Sequence, residues 1–165
     1  MSMTHYMELL ATNQPWNLLM FMAVPVVLAE TVAITELYIL FTRQRGNVAG
    51  VLNRTASIAG GFYFAGVFAY LIAAAVVPLT TGGGWRGPAD VIAVSAYLLG
   101  IVPLLGLALI DIGAIARDRT EEQRLKLHAA LVALFLVVAH VAMIFGMLDP
   151  AVLWKVAAPA HGLGH

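Results

Sequence analysis

The chain has 165 residues, of which 61% are hydrophobic and only 11% are charged, and its formal net charge is zero. Soluble domains are typically about 45–50% apolar and about 25% charged, so this composition predicts an integral membrane protein. The neutral balance gives no basic face for nucleic acid. The absence of cysteine excludes disulfides, iron–sulfur clusters and thiolate metal sites.

Four apolar segments are long enough for membrane-spanning helices, which need about 20 residues each. They cover residues 16–41, 56–79, 91–116 and 127–148. We therefore predict an all-α, single-domain bundle of four transmembrane helices, with short interfacial segments at residues 1–15 and 151–165. Pro25 and Pro103 are expected to kink the first and third spans.

The basic residues indicate how the bundle is oriented, because positive charge favours cytoplasmic loops. Arg86 and Lys155 fall on one side of the predicted membrane. The other side carries Arg43, Arg45, Arg54, Arg117, Arg119, Arg124 and Lys126. This bias predicts cytoplasmic 1–2 and 3–4 loops, both termini on the non-cytoplasmic side, and a place in a bacterial inner membrane.

Ionisable side chains at membrane depth are costly and usually pair, protonate or bind something. Counting about 1.5 Å per residue from the predicted cytoplasmic ends, Glu36 and Asp111 lie at about 7–8 Å. Glu30 lies at about 16 Å and His140 at about 20 Å, while His128 lies at about 2 Å. The sequence thus predicts a central Glu30–His140 layer and an inner Glu36–Asp111 layer with His128 at its mouth.

The histidine and carboxylates favour a metal or cation site formed by Glu30, His140 and Asp111. Met143 and Met147 follow His140 on one helical stripe and would extend this site outward. Thioether and imidazole suit copper, whereas imidazole with carboxylate suits zinc or iron. Glu36, Asp111 and His128 would then form a proton or ion path. Lipid-facing filler is the alternative for the methionines.

Other cofactors and activities have weaker support in the spacing. Bis-histidine haem is disfavoured because His128 and His140 share one span and no other span offers a histidine. No phosphate-binding loop, nucleophile motif or HExxH motif indicates an enzyme. A haem- or quinone-associated redox subunit and an accessory subunit without ligand remain the alternatives. A conducting path through four spans would need a homodimer or a larger membrane complex.

Three stretches carry a resemblance to a known family. They are "THYMELLATNQPWNLLMFMAVPVVLAETVAITELYILFTR" (4–43), "WRGPADVIAVSAYLLGIVPL" (85–104) and "LHAALVALFLVVAHVAMIFGMLDP" (127–150). Together they resemble small four-span bacterial membrane proteins described as permeases. The resemblance implies four transmembrane helices and a permease-like activity, and it assigns no catalytic residue.

Overall fold

The structure is a computed structural model that describes residues 3–151. A short helix, α1 (His5–Ala11), precedes four long helices. These are α2 (Trp16–Thr42), α3 (Val48–Thr81), α4 (Pro88–Asp111) and α5 (Glu121–Met147), and each is long and apolar enough to cross a membrane. The predicted all-α bundle with four membrane-spanning helices is confirmed. The predicted interfacial segment at 151–165 falls almost wholly outside the described residues.

Local capping signals move several span boundaries from the predicted positions. Asn47 caps α3 by accepting from the Gly50 amide at 3.2 Å, so this helix begins well before residue 56. Thr120 begins α5 with a capping box, in which Gln123 bonds back to the Thr120 amide. Gly113 takes a φ of 75° just beyond α4, which therefore ends at Asp111 and not at residue 116.

Prolines coincide with irregular turns inside the spans. A π-helical turn covers Leu19–Ala23 just before Pro25, and a second covers Ile72–Val76 just before Pro78. Proline lacks the amide hydrogen that a regular turn needs, and a π turn accommodates this locally. In α4 the helix is interrupted at Gly100, close to Pro103. The irregularities in α2 and α4 lie where the sequence predicted kinks.

The four long helices run alternately up and down, and each packs on the next along the chain. Helix α3 approaches α4 closely at Gly61, where an added Cβ would lie 2.5 Å from Ala108 Cβ and 2.6 Å from the Leu104 carbonyl oxygen. Helices α2 and α5 close the ring with much less contact. The bundle is therefore tight on three sides and open along the α2–α5 side.

Helix α1 packs across the end of the bundle that carries the 82–87 loop. Leu10 is buried in a cluster with residues of α2, α3 and α4, and Tyr6 and Met7 pack against it. Burial raises the pKa of the Tyr6 phenol. The opposite end carries the arginine-rich 43–47 and 112–120 loops, and we call it the basic end.

Candidate functional site

Three helices bring two carboxylates and one imidazole together inside the bundle, near the basic end. His128 Nδ1 lies 2.7 Å from Glu36 Oε2, and His128 Nε2 lies 3.2 Å from Asp111 Oδ2. The His128 residue is only 1% exposed and Glu36 only 2%. We call Glu36, His128 and Asp111 the inner triad. The predicted inner layer thus exists, with the histidine at its centre.

The structure corrects the predicted position of His128 at the mouth of the layer. Because α5 begins at Glu121, His128 lies about two turns inside the helix, not one residue from its start. Asp111 shifts the other way, since it is the last residue of α4. Both corrections come from the helix boundaries, and the 3.2 Å contact shows that the two residues meet although they lie at different distances from the ends of their helices.

Neutral polar groups of α2 and α3 hold the inner triad. Asn53 Nδ2 donates toward Glu36 Oε2 at 3.2 Å and toward Thr35 Oγ1 at 3.0 Å. Ser57 Oγ donates to Asp111 Oδ2. Asn53 and Ser57 are four residues apart on α3, so both face the triad from one side of that helix. The sequence prediction did not include them, although this polar i, i+4 pair was a readable signal.

Two atoms of the inner triad are incompletely satisfied. Glu36 Oε1 is buried without a hydrogen-bond partner. His128 Nδ1 is within ion-pair distance of Glu36, but the contact does not have the geometry of a hydrogen bond. Buried polar atoms are nearly always paired, so an unpaired carboxylate oxygen marks a place where a further group or proton is to be expected.

A cavity of about 370 Å³ leads from the basic end to Asp111. Its wall carries charges of both signs, with Arg45, Arg54 and Arg124 beside Asp111 and Glu121. Arg124 Nη2 donates to the Ile110 carbonyl at 3.1 Å and so covers the end of α4. Water can therefore reach one carboxylate of the inner triad, while Glu36 lies deeper.

The predicted central layer is arranged differently. Glu30 and His140 are both exposed on the outside of the bundle, so the prediction of a buried Glu30–His140 layer is wrong for the single chain. His140 Nδ1 lies 2.6 Å from the carbonyl oxygen of Leu136, one turn earlier on its own helix. A metal-binding role for either residue stays a prediction.

The proposed metal ligands do not gather in one place. Met143 and Met147 are exposed on the surface of α5, with 46% and 65% of their surface accessible. Within residues 3–151, no group of three histidine, aspartate or glutamate side chains has an arrangement suited to a metal ion. In the inner triad the carboxylates face opposite nitrogens of one ring, so a single ion cannot contact all three groups.

A second polar cluster, which the sequence did not predict, lies at the end of the bundle that carries α1 and the 82–87 loop. Asp90 is fully buried and accepts from the His5 amide at 2.6 Å and the Arg86 amide at 3.2 Å. The His5 imidazole contacts the same carboxylate at 2.6 Å. Arg86 also pairs with Glu8 of α1. This cluster ties α1 to the start of α4.

Fold and site together define a class: an all-helical protein with four membrane-span-like helices and a buried carboxylate–imidazole–carboxylate triad. The chain belongs to the family DUF6803, described as a family of unknown function, which matches residues 1–161. No curated protein and no solved structure matches it.

Proposed function

We propose that this protein is a permease-like membrane protein of the bacterial inner membrane that handles protons through the inner triad. One observation carries the proposal: a buried imidazole has a carboxylate oxygen beside each of its two ring nitrogens. The carboxylate–histidine layer that handles the cation is then Glu36–His128–Asp111, which the sequence suggested as a proton or ion path, and not the predicted Glu30–His140 layer. The cation is the proton.

The geometry suits a relay because imidazole can accept a proton at one nitrogen and release a different proton, the one carried by the other nitrogen. Asp111 meets the basic-end cavity and is the point of exchange with water. His128 then connects Asp111 with Glu36, which is deeper in the bundle. Asn53 and Ser57 hold the two carboxylates, so only a small turn of the His128 ring is needed to complete the hydrogen bond from Nδ1 to Glu36.

A metal ion is less well supported than a proton. The exposed positions of His140, Met143 and Met147 separate them from the inner triad, and the triad has no common point for its three donors. A proton needs no such common point, only donor and acceptor atoms in sequence. The supporting features are therefore the line of contacts, the burial of the triad and the cavity that leads to Asp111.

Proton flux into proteoliposomes tests this function. Purified protein is reconstituted with an internal pH-sensitive dye, and a valinomycin-clamped potassium gradient drives proton entry. We expect the wild-type protein to acidify the lumen well above the rate of empty liposomes. His128→Gln should lower this excess rate by about 10-fold or more, since general acid–base groups contribute about 10²–10⁴-fold.

His140→Gln is the matched control, because His140 is on the same helix but on the outer surface. We expect it to leave the flux unchanged. Wild-type flux no higher than that of empty liposomes would contradict the proposal and favour an accessory subunit. Equal losses in His128→Gln and His140→Gln would also contradict it, because only one of these residues belongs to the inner triad.

A further inference from the structure

A groove of about 340 Å³ runs along the open side of the bundle, between α2 and α5. We call it the lateral groove. It lies between the two neighbouring long helices with the least mutual contact, and it opens on the outside of the bundle. Its volume is in the range of small-molecule sites. It is lined by Glu36 and by aliphatic residues of both helices, among them Ala33, Ile34, Leu37, Ala129 and Ala133.

Glu36 makes this groove different from an ordinary gap between membrane helices. All its other lining residues are aliphatic, whereas Glu36 contributes a carboxylate that is 2% exposed. One oxygen of this carboxylate contacts His128 and Asn53, and the other, Oε1, has no hydrogen-bond partner. Oε1 is itself buried, so a hydrogen-bond donor on an occupant would reach it once the Glu36 side chain turns toward the groove, whereas an acyl chain offers no donor.

We propose that the lateral groove binds a membrane-soluble molecule with a hydroxylated ring head and an apolar tail, of the quinol class. The hydroxyl donates to Glu36 Oε1, and the ring lies against the small residues Ala33, Ala129 and Ala133. This inference rests on the proposed function, because it places a ligand hydroxyl beside the innermost group of the proton relay.

The charges favour a neutral donor. Glu36 already has an imidazole partner in His128, so a cationic head would compete with the imidazole for the same carboxylate. A second copy of the chain fits less well. In a two-fold pair this same face would meet itself, and at the level of Glu36 it presents the apolar residues Ile34 and Leu37. Neither residue can donate a hydrogen bond to Glu36.

The test measures ligand retained by the protein in nanodiscs, with empty nanodiscs subtracted. The probes are a decyl-tailed benzoquinol, kept under anaerobic conditions, and its dimethyl ether, which lacks the donor hydroxyls. We expect the quinol to bind at least about 10-fold more tightly than the ether, a ratio that corresponds to about one hydrogen bond to a charged group. Ala133→Phe should abolish the difference by filling the groove.

Ala130→Phe is the matched control, since Ala130 is exposed on the same helix but does not line the groove. It should bind the quinol like the wild type. His128→Gln should keep quinol binding while losing proton flux, so a failed relay and an empty groove give different results. Thermal melting of each variant confirms that it is folded.

Two results would overturn the inference. Equal retention of quinol and ether would mean that the groove holds any apolar chain. Efficient Ala133→Cys cross-linking between chains in the membrane would mean that a second copy covers the groove, and the cysteine-free sequence makes that measurement unambiguous.

Discussion

Asn53 has more acceptors around its amide nitrogen than it has hydrogens to donate. Its Nδ2 lies within 3.0–3.2 Å of Thr35 Oγ1, the Val32 carbonyl and Glu36 Oε2, and an amide NH2 carries two hydrogens. At any moment at least one acceptor therefore depends on another group or on a proton. Because Asn53 is on α3 and one of these acceptors is Glu36, the position of α3 is coupled to the protonation of the inner triad.

We expect Asn53→Ala to lower the free energy of unfolding by about 1–3 kcal/mol, because it leaves buried acceptors without their donor. Unfolding of the detergent-solubilised protein, followed by circular dichroism, measures this loss. Thr55→Ala is the control, since Thr55 is exposed and its hydroxyl donates only to the Val51 carbonyl of its own helix. Equal stability of the two variants would contradict a role for Asn53 in holding the triad.

For single residues, the sequence predicted that Glu36 and Asp111 would lie at one depth, and both contact His128. It also predicted that Glu30 and His140 would be buried, and this prediction was wrong. Depth follows from the rise per residue, but the direction in which a side chain points follows from packing. In a membrane helix the lipid-facing and core-facing sides are both apolar, so hydrophobic periodicity does not separate them. The exposure of Glu30 therefore could not be read from the sequence alone.

Between elements, helix association depends on small residues at the contact. In the stretch "GGFYFAG" (60–66), Gly61 makes such a contact against α4. Membrane helices gain little from burying apolar surface against each other, so close van der Waals packing carries more of the association. The same contact sets the register of α3 on α4, and hence that of Ser57 on Asp111.

Gly61→Ala should therefore destabilise the bundle by about 1–3 kcal/mol, because its new methyl group would overlap Ala108 and the Leu104 backbone. Gly66→Ala in the same helix has no atom within 4 Å of the added carbon and should be neutral or slightly stabilising. Thermal unfolding in one detergent compares the two. A smaller loss for Gly61→Ala than for Gly66→Ala would contradict this packing.

The ends of the helices were the second feature at this scale that the sequence did not predict correctly. The polar start of α5, Glu121–Lys126, reads as a loop by hydropathy, yet Thr120 and Gln123 cap it as a helix. Treating these residues as loop moved the predicted start of the span to residue 127 and placed His128 at the membrane edge. Capping signals, read together with hydropathy, would have placed His128 inside the helix.

For the whole molecule, the distribution of arginine and lysine predicts that the basic end faces the cytoplasm. The proposed relay then opens to the cytoplasm through the basic-end cavity, and the His5–Asp90 cluster faces the other side. The orientation thus decides from which compartment Asp111 exchanges protons, which makes it a direct premise of the proposed function.

Single-cysteine labelling tests this orientation without background, because the chain has no cysteine of its own. Gly46→Cys reports on the basic end, where an added Cβ meets nothing within 4 Å, and exposed Thr81→Cys reports on the opposite end. In spheroplasts, a membrane-impermeant maleimide should label Thr81→Cys at once and Gly46→Cys only after permeabilisation. The reverse pattern would open the relay to the outside, and proton uptake from the cytoplasm through the basic-end cavity would then be excluded.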